Sequence, residues 1–214
     1  DSSASLEKQS TQIDAAITAG ADLLVVNIVE TASADNVVQK AKNANLPLIF
    51  FNREVSDESI QAYDQAAFVG TDPDEAGYLQ GELAADIILA EGAYDKLDRN
   101  GDGKIGYIML RADLDNPEAN GRTTYSIQEA NRLLVENNKP ELQIVGTELM
   151  ASWSTARAKE LFDAVVANKE QCDQVDFVFA NNDDMAIGAI QSLNTVGFNT
   201  KGGENYIPVL GVDA

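Results

Sequence analysis

The chain has 214 residues, of which 35 are Asp or Glu and 15 are Lys or Arg, so its formal net charge is −20 at pH 7. A surface this acidic repels phosphate backbones and argues against a nucleic-acid partner. The sequence contains no histidine, which excludes a Ser-His-Asp triad, a Cys-His pair and every zinc site that needs histidine. Apolar residues make up 44% of the chain, which is enough for a folded core.

Short apolar runs alternate with amphipathic stretches along the whole chain. The predicted strands are residues 23–29, 48–51, 66–69, 105–110, 142–145, 175–180 and 207–212. The predicted helices lie around residues 13–20, 35–41, 71–87, 123–135, 155–166 and 184–193. Such alternation is typical of parallel sheets flanked by helices with right-handed crossovers. The sequence therefore predicts an α/β fold, and the last four strands are apolar enough to be covered on both faces.

The helix after Thr71-Asp72-Pro73 has the clearest start signal, with a capping side chain and a proline in its first turn. Its residues Ala76, Leu79, Leu83 and Ile87 predict one buried stripe. One sheet is expected to give way to another here, so residues 1–70 form part of an N-terminal lobe and residues 71–214 most of a C-terminal lobe. No strand precedes the first helix and no helix follows the last strand, so we expect the chain to be incomplete at both ends.

Two further features concern compartment and redox state. Cys172 is the single cysteine, so no intrachain disulfide can form, and we interpret it as a structural thiol. No apolar run approaches the roughly 20 residues that a membrane-spanning helix needs. The first residues show no signal peptide, which a mature chain would have lost.

Residues 98–104, Asp-Arg-Asn-Gly-Asp-Gly-Lys, match the first part of an EF-hand calcium loop. Asp98, Asn100 and Asp102 supply side-chain oxygens, whereas Lys104 offers only its backbone carbonyl. Met109 stands where the loop needs a bidentate glutamate, so a distant carboxylate must complete the site. We predict a structural calcium site and not a sensor, because a strand follows the loop. The alternative is a polar turn that binds no metal.

Polar side chains follow several predicted strands. Asn52 follows the strand at 48–51, Asn181-Asn182-Asp183 follow the strand at 175–180, and Asp213 follows the strand at 207–212. Ligands of open parallel sheets bind at the carboxyl ends of the strands. We therefore expect these side chains to line a binding site.

Four more candidates lie near the same predicted edge, namely Asn116, Glu118 and Arg122 after the fourth strand and Trp153 before a helix. Amides, carboxylates and a guanidinium satisfy hydroxyls, which both donate and accept, and an indole packs on the C–H face of a ring. The set predicts a neutral, polyhydroxylated ligand, because phosphate would need a glycine-rich turn or several cations. For each residue alone, a helix cap, a solvated charge or a core position is the alternative.

Several stretches resemble the periplasmic galactose/glucose-binding proteins, the solute receptors of sugar ABC transporters and sugar chemotaxis. The matching stretches are Gln12-Ile13-Asp14, Phe50-Phe51-Asn52, Val69-Gly70-Thr71-Asp72, residues 98–104, Arg122-Thr123-Thr124-Tyr125, Ala180-Asn181-Asn182-Asp183 and Gly211-Val212-Asp213-Ala214. The resemblance implies a type I periplasmic-binding fold, in which two Rossmann-like lobes close on a ligand by a hinge. It implies capture of a monosaccharide, galactose or glucose, without chemical change.

The resemblance also assigns residues by position. It assigns sugar binding to Asn52, Asn116, Glu118, Arg122, Trp153, Asn182 and Asp213. It assigns calcium binding to Asp98, Asn100, Asp102, the Lys104 carbonyl and the remote carboxylate Asp176. Asn116 replaces the usual histidine and Glu118 the usual aspartate, which leaves the preferred sugar open. Gly106, which replaces a side-chain ligand, and the shorter Asp176 predict weaker calcium binding.

By the same resemblance the protein is a monomer in the periplasm, or a lipoprotein at the cell surface. It delivers its sugar to the membrane components of an ABC transporter and to a chemoreceptor, and it is not an enzyme. Two alternatives remain. One is the effector-binding half of a sugar-responsive transcription regulator, and the other is a metal-assisted hydrolase that uses Asp98, Asp102 and Glu118.

Overall fold

The computed structural model describes residues 5–203 and 205–213. The chain divides into two compact units, and the boundary lies between Thr71 and Asp72. Each unit has a parallel sheet with helices packed on it. The α/β class predicted from the strand–helix alternation is therefore confirmed.

The first unit has three parallel strands in the order β1-β2-β3 within the described residues. Its elements are α1 (Leu6–Thr18), β1 (Leu24–Val26), a 3-10 turn (Thr31–Ser33), α2 (Ala34–Ala44), β2 (Leu48–Phe51), α3 (Asp57–Gln61) and β3 (Ala66–Val69). Leu48 of β2 pairs with Leu24 on one side and with Ala66 on the other. The carboxyl ends of the three strands therefore lie at one edge of the sheet.

Only one face of this first sheet is covered. Leu48 and Phe50 are fully buried and pack with α1 and α2 in one core. The alternate residues Val25, Phe51 and Val69 are 57%, 40% and 62% exposed. Successive strand residues point to opposite faces, so this second face is apolar and open.

The second unit is built around β4, which pairs in parallel with three neighbours. Its elements are α4 (Pro73–Leu89), α5 (Tyr94–Leu97), β4 (Gly106–Arg111), α6 (Pro117–Glu136), β5 (Gln143–Ile144), β6 (Leu149–Met150), α7 (Thr155–Ala167), α8 (Lys169–Cys172), β7 (Phe177–Ala180), α9 (Asp183–Thr195) and β8 (Val209–Leu210). The strand order is β5-β4-β7-β8, and β6 pairs with the carboxyl end of β4.

The centre of the second sheet is covered on both faces, as the apolar runs predict. Ile108 of β4 belongs to a core shared with α7 and α9, whereas its neighbour Met109 belongs to a core shared with α4 and α6. All four residues of β7 are buried. At the edge of the sheet the prediction for residues 142–145 is only half correct, because Leu142 and Val145 are buried but both residues of β5 are exposed. An edge strand lacks a neighbour on one side, which local sequence does not report.

The predicted buried stripe on α4 is also wrong. Leu79 and Leu83 are 58% and 50% exposed, while Gly77 and Gly81 are buried. α4 packs closely against α6, and a Cβ at Gly81 would lie 2.5 Å from the carbonyl oxygen of Ser126. The small face of the helix allows this close backbone approach. Periodicity of large apolar residues misses such a face.

Two smaller predictions concern Cys172 and membrane insertion. Cys172 is a free, buried thiol, and burial raises its pKa, as expected for a structural cysteine. Among the described residues, no helix combines the length and hydrophobicity that a membrane crossing requires.

Candidate functional site

The candidate site of the second unit lies where β4, β7 and β8 end. Because the three strands are parallel, the segments that follow them share one edge of the sheet. These segments carry Asn116, Asn182 and Asp213. α6 begins at this edge and brings Glu118 and Arg122 to it on its first two turns.

Arg122 joins the ends of two strands to α6. Its Nη1 donates to the carbonyl oxygen of Asn181 at 2.8 Å and to Asp213 Oδ2 at 2.9 Å, and its Nη2 donates to Asp213 Oδ1 at 2.8 Å. The side chain of Arg122 is 6% exposed and that of Asp213 is 58% exposed. Arg122 Nε is buried and has no acceptor among the described residues. The paired contact with Asp213 neutralises the charge of the guanidinium.

Asn181 holds the ends of β4 and β7 together. Its Oδ1 accepts from the backbone N–H of Ala112 at 2.9 Å, and its Nδ2 donates to Thr123 Oγ1 at 2.9 Å. Asn181 is completely buried. The sequence analysis expected Asn181 to line the binding site together with Asn182 and Asp183, whereas in the structure its side chain joins the strand ends. It did not assign Thr123 an individual role.

Asn116 and Asn182 are helix caps whose side-chain Nδ2 shows no acceptor among residues 5–203 and 205–213. Asn116 Oδ1 accepts from Ala119 N at 2.9 Å at the start of α6, and Asn182 Oδ1 accepts from Met185 N at 3.0 Å at the start of α9. The capping role considered as an alternative for Asn182 is therefore present. In each residue the capping contact occupies the oxygen and leaves Nδ2 as a donor. A cap and a ligand contact are compatible in the same side chain.

Glu118 has no hydrogen-bond partner within the described part of the chain. It is 7% exposed, and both carboxylate oxygens are buried. Burying unsatisfied acceptors is costly. Unsatisfied buried groups are rare in native proteins, so Glu118 is a candidate for contact with a group that the described residues do not supply.

Trp153 lies beside Arg122 in a strained turn before α7. Ser152 and Trp153 have φ angles of +47° and +62°, which is a left-handed conformation that is costly for residues other than glycine. The indole Nε1 donates to Asp113 Oδ2 at 3.1 Å. The Arg122 guanidinium carbon lies 5.9 Å from the indole centroid. The sequence analysis did not identify Asp113.

In the first unit, Asn52 follows β2 and has a φ angle of +69°. Its Nδ2 donates to Oδ1 of Asn27 at 3.5 Å, and Asn27 follows β1 in the same way. Both are exposed. The sequence analysis missed Asn27 because the predicted strand at 23–29 extends past the end of β1. An asparagine pair therefore lies at the carboxyl edge of the first sheet.

The acidic loop between α5 and β4 folds its side-chain oxygens inward. Asp98 Oδ1 and Asn100 Oδ1 both accept from the backbone N–H of Asp102, at 3.1 Å and 2.9 Å. Asp102 Oδ1 in turn accepts from the backbone N–H of Lys104 at 2.9 Å. Carboxylate, amide and carbonyl oxygens are the donors that calcium prefers.

Asp176 lies against this loop although it is far away in the sequence. Its two oxygens accept from Arg99 N at 3.1 Å and from Gly106 N at 2.9 Å. Asp176 is fully buried, and burial raises its pKa to about 6. Burial also raises the pKa of Tyr94, and the charges of Asp98, Asp102 and Asp176 add to this effect. The loop region is therefore a concentration of negative charge that a cation would relieve.

The acidic side chains alone do not form a metal site. Within the residues that the structure describes, no group of three or more His, Cys, Asp and Glu side chains is arranged to hold a metal ion. A cation at this loop would depend on the Asn100 amide and the Lys104 carbonyl as well. The donor set fits a hard cation by its chemistry.

The comparisons with known proteins agree with one another. A periplasmic binding protein domain family matches residues 1–214. The chain is 35% identical over 206 residues to the D-galactose/methyl-galactoside binding periplasmic protein MglB of Haemophilus influenzae, covering 96% of this chain and 57% of that protein. It is 27% identical over 196 residues to the D-xylose-binding periplasmic protein of Escherichia coli, covering 91% of this chain and 52% of that protein. The chain thus spans little more than half the length of these relatives.

Solved structures show the same fold. A Mycobacterium smegmatis protein in complex with β-D-fucofuranose superposes with a TM-score of 0.72 at 26% identity, covering 96% of this chain and 60% of that one. A Bacillus halodurans ABC transporter solute-binding protein with bound myo-inositol has a TM-score of 0.70 at 26% identity, covering 92% of this chain and 59% of that one. These findings confirm the family resemblance drawn from the sequence. The chain belongs to the periplasmic binding protein domain family.

Proposed function

We propose that the chain binds a neutral monosaccharide at the edge of the second sheet formed by the ends of β4, β7 and β8. The observation that carries the proposal is Glu118, whose two carboxylate oxygens are buried without a donor among the described residues. Arg122 Nε is a buried donor without an acceptor at the same edge. A ligand with several hydroxyls satisfies both kinds of group, because each hydroxyl donates and accepts.

The charges at this edge favour a neutral ligand over an anion. Asp213 already pairs with the Arg122 guanidinium through two hydrogen bonds, whereas Glu118 has no cationic partner in the described residues. A ligand carboxylate or phosphate would face Glu118 without a free cation to offset the repulsion. Sugar hydroxyls donate to Glu118 and accept from the amides of Asn116 and Asn182.

The position of Trp153 supports the proposal that the ligand is ring-shaped. Its indole is held beside Arg122, and its flat face suits the C–H surface of a pyranose or furanose. In the first unit, Asn52 is the candidate sugar-binding residue.

The names of the relatives extend the proposal to sugar class. They are named for galactose, methyl-galactoside and xylose, and the solved relatives hold fucofuranose and myo-inositol. Galactose and glucose are our first candidates, since the relative named for galactose is 35% identical. Asn116 and Glu118 are the residues in which we expect the sugar preference to reside.

We also propose that the acidic loop binds calcium as a structural clip. Asp98, Asn100, Asp102 and the Lys104 carbonyl would supply oxygens, and Asp176 would add the remote carboxylate. Support comes from the inward side-chain oxygens of the loop and from the number of carboxylates that lie close together there.

In the cell, we propose that the protein is an extracytoplasmic monomer, in the periplasm or anchored as a lipoprotein. It would hand its sugar unchanged to the membrane components of an ABC transporter and would also present it to a chemoreceptor. The family to which the chain belongs supports the transport role.

The test is isothermal titration of the protein with D-galactose, D-glucose, D-xylose and myo-inositol, with D-galacturonate as the charged counterpart of galactose. We expect at least one neutral sugar to bind and D-galacturonate to bind at least about 100-fold more weakly, because it adds an unpaired charge next to Glu118. Arg122→Met should abolish binding. The proposal is refuted if no neutral sugar binds, or if D-galacturonate binds as tightly as D-galactose.

A further inference from the structure

The orientation of Trp153 is set by a contact outside its own loop. Two successive residues, Ser152 and Trp153, have left-handed backbone angles, and Ser154 caps the helix that follows. The single polar group of the indole, Nε1–H, donates to Asp113 Oδ2 at 3.1 Å. Asp113 follows β4, so the ring is tied to the edge of the sheet.

We propose that Asp113 is a positioning residue that fixes the plane of the Trp153 indole, and that this plane sets the affinity for sugar. The inference rests on the proposed sugar-binding function. Asp113 needs no contact with the ligand for this role, because it acts through the ring. Its hydrogen bond to Trp153 is the side-chain contact that the described residues show for it.

The physical reason lies in the freedom of the indole. Trp153 packs against the core of the second unit, and the Arg122 guanidinium lies near its ring. The torsion that turns an aromatic ring about its Cβ–Cγ bond has broad wells, so such packing defines the ring plane less sharply than a directional contact does. A hydrogen bond from Nε1 to a carboxylate is charge-assisted and directional. It selects the ring orientation before a ligand arrives and so lowers the entropy cost of binding.

The acceptor is itself held rigidly. The residue before Asp113, Ala112, is completely buried, and its backbone N–H donates to Asn181 Oδ1 at 2.9 Å. Asn181 also supplies the carbonyl oxygen that binds Arg122. Asn181 therefore helps to hold both groups. It binds the Arg122 guanidinium directly, and it binds the backbone N–H of Ala112, next to the Asp113 that binds the indole. This shared anchor would keep their relative placement constant.

The experiment uses the fact that Trp153 is the only tryptophan of the chain, so intrinsic emission reports on this one ring. The variants are Asp113→Ala, Asp113→Asn, Trp153→Phe and the double variant that combines Asp113→Ala with Trp153→Phe. Asp86→Ala is the control, because it removes an exposed acidic residue on α4. Each is measured for D-galactose and D-glucose affinity by calorimetry and for thermal unfolding. Emission and iodide quenching are measured without sugar in the variants that keep Trp153.

In Asp113→Ala we expect a shifted emission maximum and stronger quenching. We also expect an affinity about tenfold lower, because the released indole must then be ordered when the sugar binds. Asp113→Asn keeps an acceptor and should retain most of the affinity. In the Trp153→Phe background, which lacks the donor, Asp113→Ala should have no further effect on affinity. The unfolding midpoint should change as little as in the Asp86→Ala control.

The outcomes separate this inference from the proposed function. If emission and quenching are unchanged in Asp113→Ala, Asp113 does not position the ring, whether or not a sugar binds. If Asp113→Ala weakens sugar binding equally in the wild-type and the Trp153→Phe background, Asp113 acts on the ligand or on folding and the inference is wrong. If the wild-type protein binds neither D-galactose nor D-glucose while Asp113→Ala still alters emission, these two sugars fail as ligands, whereas the positioning of the indole by Asp113 stands.

Discussion

Replacing Glu118 with methionine should stabilise the sugar-free protein and abolish sugar binding. Glu118 is 7% exposed, and neither oxygen has a donor among the described residues. An unsatisfied buried polar group costs about 1–3 kcal/mol, which an apolar side chain of similar length removes. Loss of the favourable interaction between a carboxylate and the α6 N-terminus offsets about 0.3–1 kcal/mol of this gain.

The net expectation for Glu118→Met is a gain of about 1–2 kcal/mol in the free energy of unfolding. For a chain of this size, each kcal/mol raises the melting temperature by roughly 2–4 °C. Sugar affinity should fall at least about 100-fold, because two hydrogen bonds to a charged acceptor are lost. The assays are urea unfolding without sugar and calorimetric titration with the sugar that the wild-type protein binds.

Glu129 provides a matched control on the same helix. It is also 7% exposed, but Arg132 holds it through contacts of 2.5 Å and 2.8 Å, and these hydrogen bonds lower its pKa. Glu129→Met should therefore destabilise the protein slightly and leave sugar affinity unchanged. The reasoning would be refuted if Glu118→Met destabilised the sugar-free protein as Glu129→Met does, since Glu118 would then have a protein partner.

Four further predictions concern Arg122, Asn116, the acidic loop and Gly81. Arg122→Lys keeps the charge but loses the paired contact with Asp213, so calorimetry should show sugar affinity at least about tenfold weaker. Asn116→Asp keeps the helix cap but replaces the donor with an acceptor, so sugar affinity should fall about tenfold while the melting temperature is preserved; a lower melting temperature would contradict this. Calcium should raise the melting temperature of chelator-treated protein, because at 100 times the dissociation constant it adds about 2.7 kcal/mol to the free energy of unfolding. Asp98→Asn should reduce this effect, and no calcium response in the wild type would refute the clip. Gly81→Ala should lower the free energy of unfolding by about 1–3 kcal/mol through overpacking against α6, although Ala is the better helix former.

The secondary structure was largely predictable because it depends on local chemistry. The start of α4 follows from Asp72, whose Oδ1 accepts from Asp74 N at 2.9 Å, and from Pro73 in the first turn. The buried strand β7 follows from its apolar run. Patterns over a few residues determine such features, since caps and strands form between near neighbours. The start of α6 at Pro117 was missed although Asn116 caps it, because the helix has no large apolar residue before Tyr125 and its periodic pattern therefore begins late.

The sequence by itself also indicated most of the candidate residues, since polar side chains after buried strands share one edge in a parallel fold. Tertiary structure alone decided their contacts. Arg122 and Asp213 are 91 positions apart, and no local pattern encodes a hydrogen bond over that distance. It likewise decided that Glu118 has no protein partner in the described residues and that Asp113 supports Trp153. Composition and spacing determine which groups a chain carries, whereas packing of distant segments determines which of them are satisfied and which remain for a ligand.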